Sequence, residues 1–152
     1  MKLKNIIVTT GVARAGMTVG EVFAECIRCQ VPRLPFVDDS GAVTGCISIR
    51  KTLQQVCIPD YVVAYADLLG DNLGCLTVPD QHARQVLGIP ADRFVIEEIA
   101  VVDSDADMVK VIAVMEKHDT NNVFVVDEGV YSGMVTIDGI AKRMLAVGQQ
   151  RG

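Results

Sequence analysis

No apolar run in this sequence approaches the roughly 18 residues that a membrane-spanning helix needs, so no membrane partner is expected. Nor is a secretory leader expected. The apolar stretch Ile6 to Val8 is too short for one, and Arg14 interrupts the small residues Ala13 and Ala15. The expected compartment is the cytoplasm. Positive charge is in deficit, with 14 Lys+Arg against 19 Asp+Glu and a formal net charge of −5. A chain of that sign lacks the basic surface that phosphate backbones require, so nucleic acid is not an expected partner. A smaller anionic ligand would need a local cluster of cations. There is no G-x-x-x-x-G-K-[ST] phosphate loop, no local signature joining a nucleophile to a base, and only two histidines, His82 and His118. The expectation is a protein that is not an enzyme and holds no metal or resident cofactor.

What the sequence does hold is a core: 50% of its 152 residues are apolar and 22% charged, which argues against disorder. Five cysteines are an odd number: Cys26, Cys29, Cys46, Cys57 and Cys75. Cys26 and Cys29 form a C-x-x-C, but late in an amphipathic helical stretch rather than at the helix start that redox dithiols use. No second pair follows to complete a zinc set. Reduced, structural thiols are the expected state.

The phrase "GCISI" at Gly45 returns as "GMVTI" at Gly133. Around the first, "TVGEVFAECIRC" has Val19, Val22, Phe23, Cys26 and Ile27 at helical spacing. "RLPFVDD" reads as a strand, "VTGCISI" as the returning strand, and "RKTLQQV" as a helix. Around the second, Met108, Val111, Ile112 and Met115 form the stripe, "NVFVVDEG" and "VYSGMVTI" the strands, and "DGIAKRML" the helix. The two copies align at an offset of 89 residues through the first strand, and of 88 after one extra turn residue in the first copy. This is an internal repeat. It divides the chain into a first unit at 1–58, a helical and turn-rich linker at 59–95 that helps complete the units, and a second unit at 96–150. Part of "DYVVAYADLL" is expected to complete the first unit or shield the joint.

The strand, acid, turn and G-h-h-[ST] order in "LPFVDDSGAVTGCISIRK" and "VFVVDEGVYSGMVTIDGI" resembles a pair of CBS domains (cystathionine-beta-synthase domains), and the resemblance covers nearly the whole chain. It implies an α+β fold of two β-α-β-β-α units packed about a pseudo-twofold axis, in a stand-alone CBS protein. Its implied role is regulatory, sensing energy or metabolite state by binding an adenosine-type ligand such as AMP, ADP, ATP or S-adenosylmethionine in two clefts between the units. Carried onto this sequence, Ser48 and Thr136 would contact ribose or phosphate. The entering strands at Ile6 to Thr10 and Ile99 to Val102 would flank the adenine through Thr10, Ile99 and Val101. Such pairs commonly form homodimers through their helices and act on a regulated protein, here unknown. The Asp that usually follows the hydroxyl residue is replaced by Lys51 and Gly139, with Asp138 one place early.

The same residues have plainer roles. Ser48 and Thr136 precede helices, where capping contributes about 1 kcal/mol each. Asp138 suits a helix start by charge alone, by about 0.3–1 kcal/mol. Arg50 and Lys51 sit badly there unless an anion or a carboxylate compensates. Asn121 and Asn122 read as turn residues, with Asn122 also a candidate to line the second cleft. His118 reads as a helix-end residue, and Lys142 and Arg143 as solvated. A degenerate pair serving as a dimerisation or scaffold element is the alternative function, and a thiol- or metal-linked sensor at Cys26 and Cys29 the third.

Overall fold

The computed structural model describes residues 2–57, 67 and 80–150. Helix α1 (Val19–Cys29) starts where the Thr18 side chain accepts from the Glu21 N–H, and ends at Gln30 in the left-handed conformation. There the Val31 N–H returns to the Cys26 carbonyl. Strands β1 (Arg33–Val37) and β2 (Val43–Ser48) pair antiparallel and lead into α2 (Ile49–Cys57). Helix α3 (Asp80–Leu87) follows and packs on α1.

The second half repeats this plan. Strand β3 (Val101–Val102) pairs parallel with β4 (Asn122–Asp127), which pairs antiparallel with β5 (Val130–Thr136). Helix α4 (Met108–Lys117) is capped by Asp107, which accepts from the Lys110 N–H. Helix α5 (Ile137–Gln149) is capped by Thr136. The correspondence reaches small details. The register slips between Phe36 and Val37 in one hairpin and between Val125 and Val126 in the other. Asp119 is left-handed where Gln30 is, and the Thr120 N–H returns to the Met115 carbonyl as Val31 does to Cys26.

The two sheets are separate, yet each borrows a segment from the far side of the repeat. Val8 bridges to Met134 on β5, while Ile96 bridges to Cys46 on β2. Both crossings carry a reciprocal pair of backbone hydrogen bonds of 2.8 and 2.9 Å. The expected entering strand at Ile6 to Thr10 is therefore corrected. The residue that runs parallel to β1 is Ala13, bridged to Phe36, and Ile6 to Val8 serves the second half. A β-branched run signals extended chain but not its partner. The second entering strand, expected at 99–102, is the two-residue β3.

The repeated glycines mark the crossings. A Cβ on Gly45 would stand 2.6 Å from the Ile96 carbonyl oxygen, and one on Gly133 2.7 Å from that of Val8. Only a residue without Cβ admits the borrowed segment so closely.

Burial follows the same exchange. One core joins Val22, Cys26, Leu34 and Ile47 to Phe124 and Met134 of the second half. The other joins Leu3 and Ile6 to Val111, Val125, Val135 and Ile140. Each such aliphatic side chain stabilises the fold by about 1.5–3 kcal/mol when wholly buried. The helical stripes are narrower than their sequence spacing suggests: Ile27 on α1 is 71% exposed and Ile112 on α4 is 44% exposed. The expected role of residues 60–69, apart from Asp67, lies outside the described residues, as do Pro59, Pro79, Cys75 and the Cys57 side chain.

Candidate functional site

Two cavities occupy matched places in the repeat. The first, of about 280 Å³, is lined by Arg33, Ser48, Arg50 and Lys51 from the first half and by Ile96, Glu98, Ala100 and His118 to Thr120 from the second. The second, of about 500 Å³, is lined by Asn121, Asn122, Thr136 to Gly139 and Lys142 from the second half, and by Val8, Cys29, Gln30 and Pro32 from the first. Both are of a size to take a small ligand.

A capped helix start forms one wall of each. The Ser48 hydroxyl, buried at the end of β2, accepts from the Lys51 N–H at 3.1 Å. The Thr136 hydroxyl accepts from the Gly139 N–H at 3.0 Å. Capping satisfies one free N–H at each start and leaves others directed outward, a favourable place for an anion or a polar oxygen. The first strand of the hairpin also contributes. In register, Arg33 on β1 faces Ser48 and Asn122 on β4 faces Thr136. Arg33 Nε and Asn122 Oδ1 are buried and have no hydrogen-bond partner among the described residues.

The charges differ. Around Ser48 stand Arg33, Arg50 and Lys51, opposed by Glu98 and Asp119. His118 ends α4 as its C-cap residue, and its Nδ1 lies 3.5 Å from Glu98 Oε1. Around Thr136 stand Asp138 and Lys142. Arg50, Lys51 and Asp138 are exposed, whereas Arg33 is half-buried. Sequence spacing brought forward Arg50 and Lys51 and passed over Arg33, whose position is visible only once the β1–β2 register is known.

Ser48, Arg50 and Lys51 thus share one cavity, and Asn122, Thr136 and Asp138 share the other. Thr10, Ile99 and Val101 line neither. The Thr10 hydroxyl lies 2.6 Å from the Tyr131 hydroxyl. Ile99 packs on the first core, and Val101 is exposed on the edge strand β3. Ala100, between the latter two, lines the first cavity.

Next to Thr10, Glu25 accepts from the Gly11 N–H at 2.5 Å, from Arg28 at 2.6 Å and from the Cys29 thiol at 3.4 Å. Arg28 first, then Gly11, holds its carboxyl down at about 2. Tyr131 is pushed up to about 12, chiefly by burial. Burial likewise raises Cys26 to about 11, and raises Cys29 and Cys46, so these free thiols stay protonated and weakly nucleophilic. Among the described residues no cluster of three or more His, Cys, Asp or Glu could hold a metal ion. No helix among them is long and apolar enough to cross a membrane.

The CBS domain family matches residues 91–146. Comparison with curated proteins finds no match. Among solved structures, the chain is similar to the CBS domain of a CBS domain containing membrane protein from Sphaerobacter thermophilus. That pair is 19% identical, with 93% of this chain and 86% of that one covered and a TM-score of 0.67. It is also similar to a CBS domain-containing protein from Bacillus anthracis, 15% identical over 96% of this chain and 94% of that one, with a TM-score of 0.67. A third is the CBS domain pair of protein MJ0100 in complex with 5′-methylthioadenosine and S-adenosyl-L-methionine. It is 17% identical over 96% of this chain and 97% of that one, with a TM-score of 0.62. Residues 91–146 thus match the CBS domain family, and nearly the whole chain has the fold of these CBS-domain structures.

Proposed function

We propose that the protein is a regulatory module that binds an adenosine-type ligand, such as AMP, ADP, ATP or S-adenosylmethionine, in its two clefts, and passes the bound state to a partner protein. The observation that carries this reading is the matched pair of cavities, each with a hydroxyl-capped helix start facing an unpartnered buried polar atom. The complex of the MJ0100 pair with two adenosine compounds supports the ligand class. The role is regulatory rather than catalytic, as befits the CBS family. Reduced buried thiols suit a cytoplasmic setting.

A thermal-shift panel of AMP, ADP, ATP, S-adenosylmethionine, NAD and cyclic dinucleotides tests the reading. A ligand at about 100 times its Kd adds roughly 2.7 kcal/mol to apparent stability. Silence across the panel would overturn it.

One observation favours a second reading, a dimerisation or scaffold element without a ligand. Lys51 and Gly139 stand where the family usually has the Asp that holds ribose. Both readings include a homodimer. Ile27 on α1, Val109 on α4, and Met144 and Leu145 on α5 are 60–78% exposed, more apolar helix surface than one small core uses.

A further inference from the structure

The geometry points to Arg33 and Asn122 as the pair that sets which ligand each cleft takes: an anionic group in the Ser48 cleft, and an uncharged ligand carrying a hydrogen-bond donor in the Thr136 cleft. This deepens the proposed function and rests on it for the adenosine part of the ligand. The two residues occupy one repeat position, the first of β1 and the first of β4, and each faces the capping hydroxyl across its hairpin. The repeat position is thus the same while the chemistry changes from a permanent cation to a neutral amide.

Asn122 is only 5% exposed, and Oδ1, buried among the cleft walls, has no partner among the described residues. Leaving such an acceptor unsatisfied is unfavourable, and a donor on a bound molecule relieves it. A hydroxyl or amine on a nucleoside supplies that donor. A phosphate dianion cannot, because it offers acceptors to an acceptor, and Asp138 offsets Lys142 in the same cleft. In the Ser48 cleft the orphan is a donor, Arg33 Nε. The guanidinium is half-buried and stands by the Cys46 thiol. A half-buried cation is less screened by salt than the exposed Arg50 and Lys51, and its planar fork suits phosphate oxygens. Glu98 and Asp119 line the same cleft and oppose an anion, so Arg33 is the group whose loss should tip the balance.

The test follows the Lys51 and Gly139 amides, one in each helix start, in ¹H–¹⁵N spectra of the full chain titrated with AMP, adenosine and inorganic pyrophosphate. AMP should shift Lys51 and adenosine should shift Gly139. Arg33→Asn should weaken AMP at least about tenfold and leave adenosine within about twofold. Asn122→Leu, equal in side-chain heavy atoms, should do the reverse. If Arg33→Asn does not fold, Arg33→Gln keeps more of the stem and reads the same loss of charge. The inference is overturned if AMP binds the Arg33 variant as it binds the native chain, or if AMP and adenosine shift the same amide. If neither nucleoside moves either amide but pyrophosphate moves Lys51 in an Arg33-dependent way, the adenosine reading falls and the charge assignment stands. Silence of all three probes, or a pyrophosphate response indifferent to Arg33, overturns both.

Discussion

Replacing Gly45 by alanine should loosen the joint between the two halves by an amount that can be worked out from the crossing. The added Cβ would lie 2.6 Å from the Ile96 carbonyl oxygen and 2.7 Å from Val95 Cγ1. The oxygen cannot retreat freely, because it accepts from the Cys46 N–H at 2.9 Å, while the Ile96 N–H donates back to the Cys46 carbonyl at 2.8 Å. Overpacking of this kind costs about 1–3 kcal/mol. Losing part of the hydrogen-bonded pair adds about 1 kcal/mol. The stiffer unfolded chain returns about 0.4–1 kcal/mol. A net loss of about 2 kcal/mol is expected, which for a chain of this length lowers Tm by about 4–8 °C. Urea unfolding at fixed protein concentration measures it. Gly148→Ala is the control, since a Cβ there meets nothing within 4 Å and replaces glycine in a helix. It should stabilise by up to about 1 kcal/mol. A Gly45→Ala loss below about 0.5 kcal/mol would refute the role given to the borrowed strand.

Three other outcomes are expected. Arg50→Glu with Lys51→Glu should weaken AMP, and the effect should shrink between low and high salt because both cations are exposed; calorimetry at two ionic strengths checks it. Glu25 has a folded pKa of about 2, below its ordinary 4.5. Its stabilising contribution is therefore whole above about pH 4.5 and is lost as pH falls toward 2. Glu25→Gln should flatten the acid limb of a stability profile in that window. Sedimentation equilibrium at micromolar concentration should give a species of twice 16.4 kDa, and Met144→Glu with Leu145→Glu should shift it toward the monomer.

The repeat made most of the architecture legible in the sequence. Apolar spacing found α1 and α4, and the glycine phrase found both returning strands. The exchange between halves was not legible, because it rests on the isolated pairings of Val8 and Ile96, and neither was the isolated pairing of Ala13 with β1. A single bridge has no periodicity, and its partner lies about 23, 50 or 126 residues away. Half of each site was legible for the same reason. Ser48 and Thr136 announce helix starts through local chemistry. Arg33 announces nothing until the register sets it opposite Ser48. Asn122 was read from the turn side, and its unpartnered oxygen is a property of packing.

The exchange also bears on how a ligand could be felt elsewhere. Each cavity takes lining residues from both halves: Ser48 and Arg33 face Ile96 and His118 in one, and Thr136 and Asn122 face Val8 and Cys29 in the other. Ile96 and Val8 are themselves the borrowed strands, hydrogen-bonded to Cys46 and Met134. These partners lie two residues before the capping hydroxyls Ser48 and Thr136. A molecule seated against Ser48 therefore touches Ile96, one member of the crossing that joins the sheets, and lies two residues along the chain from the other, Cys46. If its affinity differs between two angles of that crossing, the ratio of affinities is the most by which it can shift the angle. A tenfold difference corresponds to about 1.4 kcal/mol, comparable to the expected loss at Gly45→Ala. A glycine variant that weakens the crossing should therefore also reduce the difference between bound and free forms, even though Gly45 lines neither cavity. Hydrogen exchange at the Cys46 and Met134 amides, with and without AMP, reads this coupling. Equal AMP-induced protection in the native chain and in Gly45→Ala would show that the crossing does not transmit it.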